Sequence, residues 1–292
     1  MNDIGAHRRF FAELITGNAG VLRGDRRLVE AFASVPREKF LGPGPWKIFT
    51  AAGYIETPSA DPAFLYQDVV VAIAAERKIN NGQPVLHALN LAALGVKPGE
   101  TVVHVGAGSG YYTAILANLV GEWGAVVAFE LEADLAERAT ANLSHLPNVR
   151  VEARSAAEGS LPETDVIYVN AGATGPLDVW LDALRVGGRL LFPLTPSDGP
   201  GGMPGAGAML LVTRAAGQRF AARFICPAAF VPCAGARDEE TATRLTAAFR
   251  RGNWRDVKSL RRGTSPDDSA WVAGQDWWLS TQEELVNAQA GG

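Results

Sequence analysis

At 292 residues, with 47% apolar and 20% charged side chains, the chain has apolar material for a full-sized core, which excludes wholesale disorder. Its 31 acidic residues outnumber 27 basic ones, for a net charge of −4, and this argues against a nucleic-acid partner, since phosphate binding leaves a basic footprint. Cys226 and Cys233 are too few for a disulfide framework and wrongly spaced for a zinc clip; no secretory leader and no bilayer-length apolar run is present, so a soluble, cytoplasmic chain without metal or membrane partner is expected.

Residues 1–45 read as helical, with Phe10, Phe11, Leu14, Leu28 and Phe32 at helical spacing, and L-G-P-G-P at 41–45 closes that region. Residues 46–82 are mixed and end on the turn signal N-N-G at 80–82. A helix is predicted over 84–94, with Pro84 in its first turn, where no amide hydrogen is needed. From residue 100, strands near 101–105, 125–130, 149–153, 165–170 and 188–193 alternate with helices near 111–120, 132–144 and 176–184. Such alternation calls for an α/β fold: a mostly parallel, doubly wound sheet covered on both faces. Segments 208–213 and 219–225 predict a closing antiparallel hairpin, and the Gly/Pro-rich stretch 196–207 a loop. Past 237 the pattern changes to one helix (239–250) and a Trp-rich end, whose Trp271, Trp277 and Trp278 read as packing residues. Three parts are expected: an N-terminal helical, substrate-side region (1–82), a cofactor-binding core (83–236) and a C-terminal extension (237–292).

The stretch 101–130 carries the chemistry. The β-branched run Val102, Val103, Val105 stops at Gly106, Gly108 and Gly110; a helical pattern follows, and a second apolar run closes on Glu130. Strand, glycine turn, helix, strand and carboxylate form the first half of a nucleotide-cofactor site. A phosphate-binding loop would need Gly-Lys-Ser/Thr, whereas Gly110 is followed by Tyr111. A dinucleotide site carries G-x-G-x-x-G, and Tyr111 stands where its last glycine belongs. The G-x-G-x-G spacing suits S-adenosylmethionine, whose compact amino-acid end lets the backbone approach closely, with Glu130 accepting from the ribose hydroxyls. A tight strand-to-helix turn without ligand is the alternative.

In this context the chain resembles the protein-L-isoaspartate (D-aspartate) O-methyltransferases, from about Leu28 to Gly235. The likeness rests on V-P-R-E-K-F at 35–40, P-G-E-T-V at 98–102, G-A-G-S-G-Y at 106–111, L-R-V-G-G-R-L-L-F-P at 184–193 and F-V-P-C-A-G at 230–235. The resemblance implies a Rossmann-like class I methyltransferase fold, S-adenosyl-L-methionine as cofactor with S-adenosyl-L-homocysteine as product, and a peptide, protein or small carboxylate as substrate. The family's G-x-T-I-S segment, whose Ser is implicated in catalysis, aligns with Asn80, Asn81, Gly82, Gln83 and Pro84, so Gly82 replaces the hydroxyl. His104 stands for the acid usual in the first strand, and Ser155 for the aspartate that holds the adenine amino group.

Asn80, Asn81, Gly82 and Gln83 are therefore the expected acceptor-side residues, their amides able to orient a carboxylate. His104, Gly106, Ala107, Gly108, Gly110, Tyr111, Glu130, Ser155 and Asn170 are the expected cofactor residues, Asn170 by its place at a carboxyl end of a strand. Tyr66, Gln67 and Asp68 read as packing residues with a substrate-side alternative, His87 as a packing residue that could instead face the cofactor, and Tyr112 as either core or cofactor-facing. A carboxylate acceptor is ionised at neutral pH, its reference pKa being about 4, and needs no general base. Methylation of a small-molecule hydroxyl or nitrogen, and a lapsed adaptor, are the competing readings.

Overall fold

The computed structural model describes residues 3–21, 26–196 and 205–283. The chain divides into two compact units, Met1–Ala156 and Ala157–Gly292.

The first unit opens with α1 (Ile4–Asn18) and α2 (Arg26–Ser34). Asp3 caps α1, its carboxylate accepting the Ala6 N–H at 3.1 Å. Phe11, Ile15, Leu28 and Phe32 carry the buried faces of the pair. A hairpin of β1 (Lys47–Thr50) and β2 (Gly53–Glu56) follows, then a small antiparallel pair, β3 (Ala72–Ala74) and β4 (Ile79–Asn80). The helix α3 spans Pro84–Leu94, as predicted, and ends at Gly95 with φ +58°.

The expected alternation then appears: β5 (Thr101–Val105), α4 (Tyr111–Val120), β6 (Ala125–Phe129), α5 (Ala133–Leu143) and β7 (Val149–Glu152). These strands are parallel and in the order β5–β6–β7, with Thr101 opposite Ala125 and Val126 opposite Val149. Val102, Val103, Val126 and Phe129 are buried, as strands covered on both faces require. α4 is buried around nearly its whole circumference, whereas α5 turns only Leu135, Ala136, Ala139 and Leu143 inward.

In the second unit β8 (Thr164–Val169) is followed by α6 (Asp178–Ala183) and β9 (Leu184–Leu194), which runs parallel to β8. The expected hairpin is β10 (Gly205–Arg214) and β11 (Phe220–Phe230), antiparallel and longer than its apolar segments suggested. Of the loop expected over 196–207, residues 197–204 lie outside the described residues.

The helix expected over 239–250 is α7 (Glu239–Arg251). Beyond it, β12 (Ser259–Arg262), β13 (Ala270–Ala273) and β14 (Trp277–Ser280) carry the sheet onward in the order β11–β12–β14–β13, all antiparallel. Each has four residues, too few for a period-2 pattern to stand out. Trp271 packs edge-on to Phe224 and Phe249 with centroids 5.4 and 5.1 Å away, and the indole N–H of Trp278 donates to Thr264. Residues 237–283 thus lie in the same compact unit as β8–β11.

Candidate active site

The turn after β5 is built from backbone. Gly106, Gly108 and Gly110 hold φ +74°, +56° and +95°, the left-handed region that side-chain-bearing residues avoid. Both the Gly106 and Ala107 N–H groups donate to the Phe129 carbonyl, at 2.9 and 3.1 Å, and this fastens the turn to the end of β6. Space is closed as well. A Cβ on Gly108 would lie 2.9 Å from Cδ1 of Ile73, and one on Gly110 2.8 Å from Cδ1 of Leu143. Asn142 adds a clamp, its amide donating to the Ser109 carbonyl at 2.9 Å.

Glu130 follows β6 directly and reaches back across this turn. One carboxylate oxygen accepts the Gly108 N–H at 2.6 Å and the other the Glu132 N–H at 3.0 Å. It is 7% exposed. Burial pushes its pKa up, and the N–H groups of Glu132, Gly108 and Leu131 oppose that shift. A carboxylate has about four lone-pair sites, so acceptor capacity remains for two hydroxyls. Leu131, which the sequence reading did not single out, leaves its apolar side chain 52% exposed beside this acid. An exposed leucine adjoining a buried carboxylate is the only signal for it. Around the acid, Arg77 pairs with Glu132 and Asp134, and Arg138 donates to the Ile73 carbonyl at 3.0 Å, tying the β3–β4 region to the start of α5.

Of the other expected cofactor residues, Ala107 is buried within the turn. His104 lies inside β5, fully buried, with Nδ1 2.8 Å from the Thr113 hydroxyl; burial lowers its pKa to about 3, so the ring is neutral. Tyr111 is also fully buried, its ring among Phe32, Phe40 and Tyr112 at 6.5, 5.7 and 5.0 Å. Ser155 follows Arg154, whose guanidinium stands 4.6 Å over the Phe129 ring, within the same unit as the glycine turn. Asn170 belongs to the second unit, one residue past β8.

The N-N-G-Q segment is woven into its surroundings. Asn80 accepts the Tyr54 hydroxyl at 2.7 Å. Asn81 accepts from Nε of Arg37 at 3.3 Å; that fully buried guanidinium also donates to the carbonyls of Leu65, Gln67 and Val69. Gln83 donates to Asp68 at 2.7 Å, and the same carboxylate accepts the Val85 N–H at 2.8 Å, satisfying the first turn of α3. Tyr66 donates its hydroxyl to Glu38. Three of the four expected acceptor-side residues thus have side chains engaged in holding the scaffold.

Gly82 is different. It sits at φ +58°, and a Cβ there would lie 2.1 Å from Nε2 and 2.8 Å from Cδ2 of His87. His87 is buried and stacked on Tyr112, with centroids 3.5 Å apart and planes 11° from parallel. Burial holds its pKa well below the ordinary histidine value, with His104 and Arg37 pushing the same way. A neutral imidazole therefore fills the space next to Gly82. The sequence held only the spacing of five residues across Pro84, which places His87 on the first turn of α3 but says nothing of its rotamer.

Residues 10–236 match the protein-L-isoaspartate(D-aspartate) O-methyltransferase family. The chain belongs to this family. The Methylorubrum populi protein-L-isoaspartate O-methyltransferase is 33% identical over 211 residues, covering 71% of this chain and 86% of that one. The Roseiflexus sp. enzyme of the same name is 31% identical over 240 residues, covering 80% and 94%. Among solved structures, a protein-L-isoaspartate O-methyltransferase superposes with TM-score 0.61 at 22% identity, covering 82% of this chain and 69% of that one. A Plasmodium falciparum structure described as a putative member, in complex with S-adenosyl-L-homocysteine, gives 0.58 at 19%, covering 78% and 98%. These likenesses show the Rossmann-like class I methyltransferase fold. As a family member the protein is an S-adenosylmethionine-dependent methyltransferase, which sets aside the adaptor reading. The positive-φ glycine turn at 106–110 and the buried Glu130 with spare acceptor sites fit that cofactor. The family match ends at Ala236, so α7 and β12–β14 lie beyond it.

Proposed function

We propose that the protein methylates the carboxylate of isoaspartyl residues in peptides or proteins. The observation that carries the reading is the clasp of Glu130 on the glycine turn within a family-matched chain. Bound S-adenosylmethionine supplies an electrophilic methyl group on a sulfonium. Gly106, Gly108 and Gly110 would admit its amino-acid end, Glu130 would accept from both ribose hydroxyls, and Leu131 would cover a face of the adenine. Ser155 would accept from the adenine amino group, and Asn170 would border the acceptor, since ligands of such sheets bind at strand carboxyl ends.

An isoaspartyl carboxylate is already ionised at neutral pH, at a reference pKa of about 4, so alignment rather than proton removal is what the chain must supply. The buried, neutral His87 and His104 agree with this: neither is poised as a base exchanging protons with solvent. Asn81 and Gln83 would act through the scaffold they hold, keeping 80–84 in place. The missing hydroxyl at Gly82 favours a second reading, a carboxylate acceptor that differs from the family's. No described helix is long and apolar enough to cross a membrane, and both cysteines are free, which supports a cytoplasmic location.

Incubation with an isoaspartyl peptide and methyl-labelled cofactor tests the proposal. Base-labile label on the peptide is the expected result. Cofactor binding without label transfer would move the acceptor to another carboxylate, and a base-stable product would overturn carboxyl methylation altogether.

A further inference from the structure

The segment beyond the family match, besides pairing β12 on β11, reaches the loop that follows β8. Arg237, the first residue past the match, donates from one guanidinium nitrogen to the Gly172 carbonyl at 3.3 Å, the Thr195 carbonyl at 3.0 Å and the Thr195 hydroxyl at 2.9 Å; its other terminal nitrogen donates to the Pro196 carbonyl. The Asp238 N–H donates to the Thr174 hydroxyl at 2.9 Å, and the Thr174 N–H to the Ala236 carbonyl at 3.0 Å. From the far end of the extension, Trp277 lays its indole against Gly175, where a Cβ would meet Cζ2 and Nε1 at 2.6 Å. Arg262, its side chain 19% exposed, reaches Asp178 at 2.6 Å and Asp182 at 2.7 Å at the two ends of α6.

Three separate stretches of the extension therefore meet residues 172–182, and two of them approach as close packing or as ion pairs rather than as ladder continuation. A loop at the carboxyl end of a parallel strand borders the ligand in folds of this class. Residues 172 and 173 are already tied to the core, the Gly172 N–H donating to the Val231 carbonyl at 2.7 Å and the Ala173 N–H to the Pro193 carbonyl at 3.0 Å, so what the extension adds falls on 174–177, where Gly175 brings little stiffness of its own. We infer that the extension is an acceptor-side specificity element, which holds the loop 174–177 in one conformation and so sets which carboxylates the site accepts. This rests on the methyltransferase reading above. Trp277 and Arg262 are positioning residues: they act through the loop.

The test uses the full chain as Trp277→Ala and, separately, Arg262→Met, each with an isoaspartyl peptide as acceptor. The KM for the peptide is expected to rise about ten-fold with kcat and S-adenosylmethionine affinity changed less than about two-fold. Amide exchange at Thr174 and Gly175 is expected to quicken about ten-fold while exchange in β5 and β6 stays the same. Unchanged exchange at 174 and 175 in both variants would overturn the inference, and so would a loss of cofactor affinity matching the rise in KM. Should the wild-type chain fail to methylate the isoaspartyl peptide, the acceptor proposal falls by itself, and the exchange comparison still decides whether the extension fixes the loop.

Discussion

Adding one methyl group at Gly82 probes the contact between this glycine and His87. Two costs combine in Gly82→Ala. The residue sits at φ +58°, where an L side chain costs about 1–2 kcal/mol. The new Cβ also arrives 2.1 Å from Nε2 of His87, a ring that cannot simply swing away because it is buried and stacked on Tyr112 at 3.5 Å. Overpacking of this kind costs about 1–3 kcal/mol. Urea melts should therefore place Gly82→Ala about 2–5 kcal/mol below wild type. In a His87→Ala background the steric part disappears and only the backbone cost of about 1–2 kcal/mol remains. The four-variant cycle is thus expected to return a coupling of about 1–3 kcal/mol. Gly82→Ser should behave alike, so restoring the family's hydroxyl demands that His87 give way. If Gly82→Ala costs the same in both backgrounds to within about 0.5 kcal/mol, the imidazole does not occupy that space and the argument fails.

Replacing Glu130 by Gln should weaken S-adenosylmethionine binding by about ten- to a hundred-fold in calorimetry, as expected for lost hydrogen bonds to a charged acceptor. Because burial raises the Glu130 pKa, wild-type affinity should fall with acidification sooner than an ordinary glutamate predicts, and the Gln variant should lack that fall. Histidine burial, with a pKa shift of opposite direction, also predicts a loss on acidification, here of stability. Unfolded histidines take up a proton near about pH 6.5, whereas folded His104 declines it down to about 3, so the stability this site contributes is present above that range and lost as pH falls through it. The slope is about 1.4 kcal/mol per pH unit for each such histidine, and a His104→Gln variant with an unaltered pH slope would refute it. Gly108→Ala should lower cofactor affinity, with partial recovery in an Ile73→Ala background, since the added Cβ would lie 2.9 Å from Cδ1 of Ile73; equal affinity loss in both backgrounds would show that the contact does not matter.

Much of the architecture was legible because periodicity survives without knowledge of neighbours. Val102, Val103 and Val105 mark a doubly covered strand, Pro84 opens α3, and the glycines at 106, 108 and 110 announce positive φ before any coordinate is seen. Glu130 could be named for the same reason, since a βαβ unit brings the end of its second strand beside its first turn whatever the rest of the chain does. The strands β12–β14 escaped notice because four-residue runs carry no usable period, and their pairing partners lie far away in sequence.

What the residues determined alone, then, was the class of fold and the backbone half of the cofactor site, both set by local preferences that act over a few positions. Tertiary structure decided the partnerships: that Asn81 holds Arg37, that Gln83 holds Asp68, that His87 fills the room left by Gly82, and that the extension grips the loop after β8. Each is a choice of side-chain rotamer or docking made among groups distant in sequence, and close packing settles such choices only when every neighbour is present.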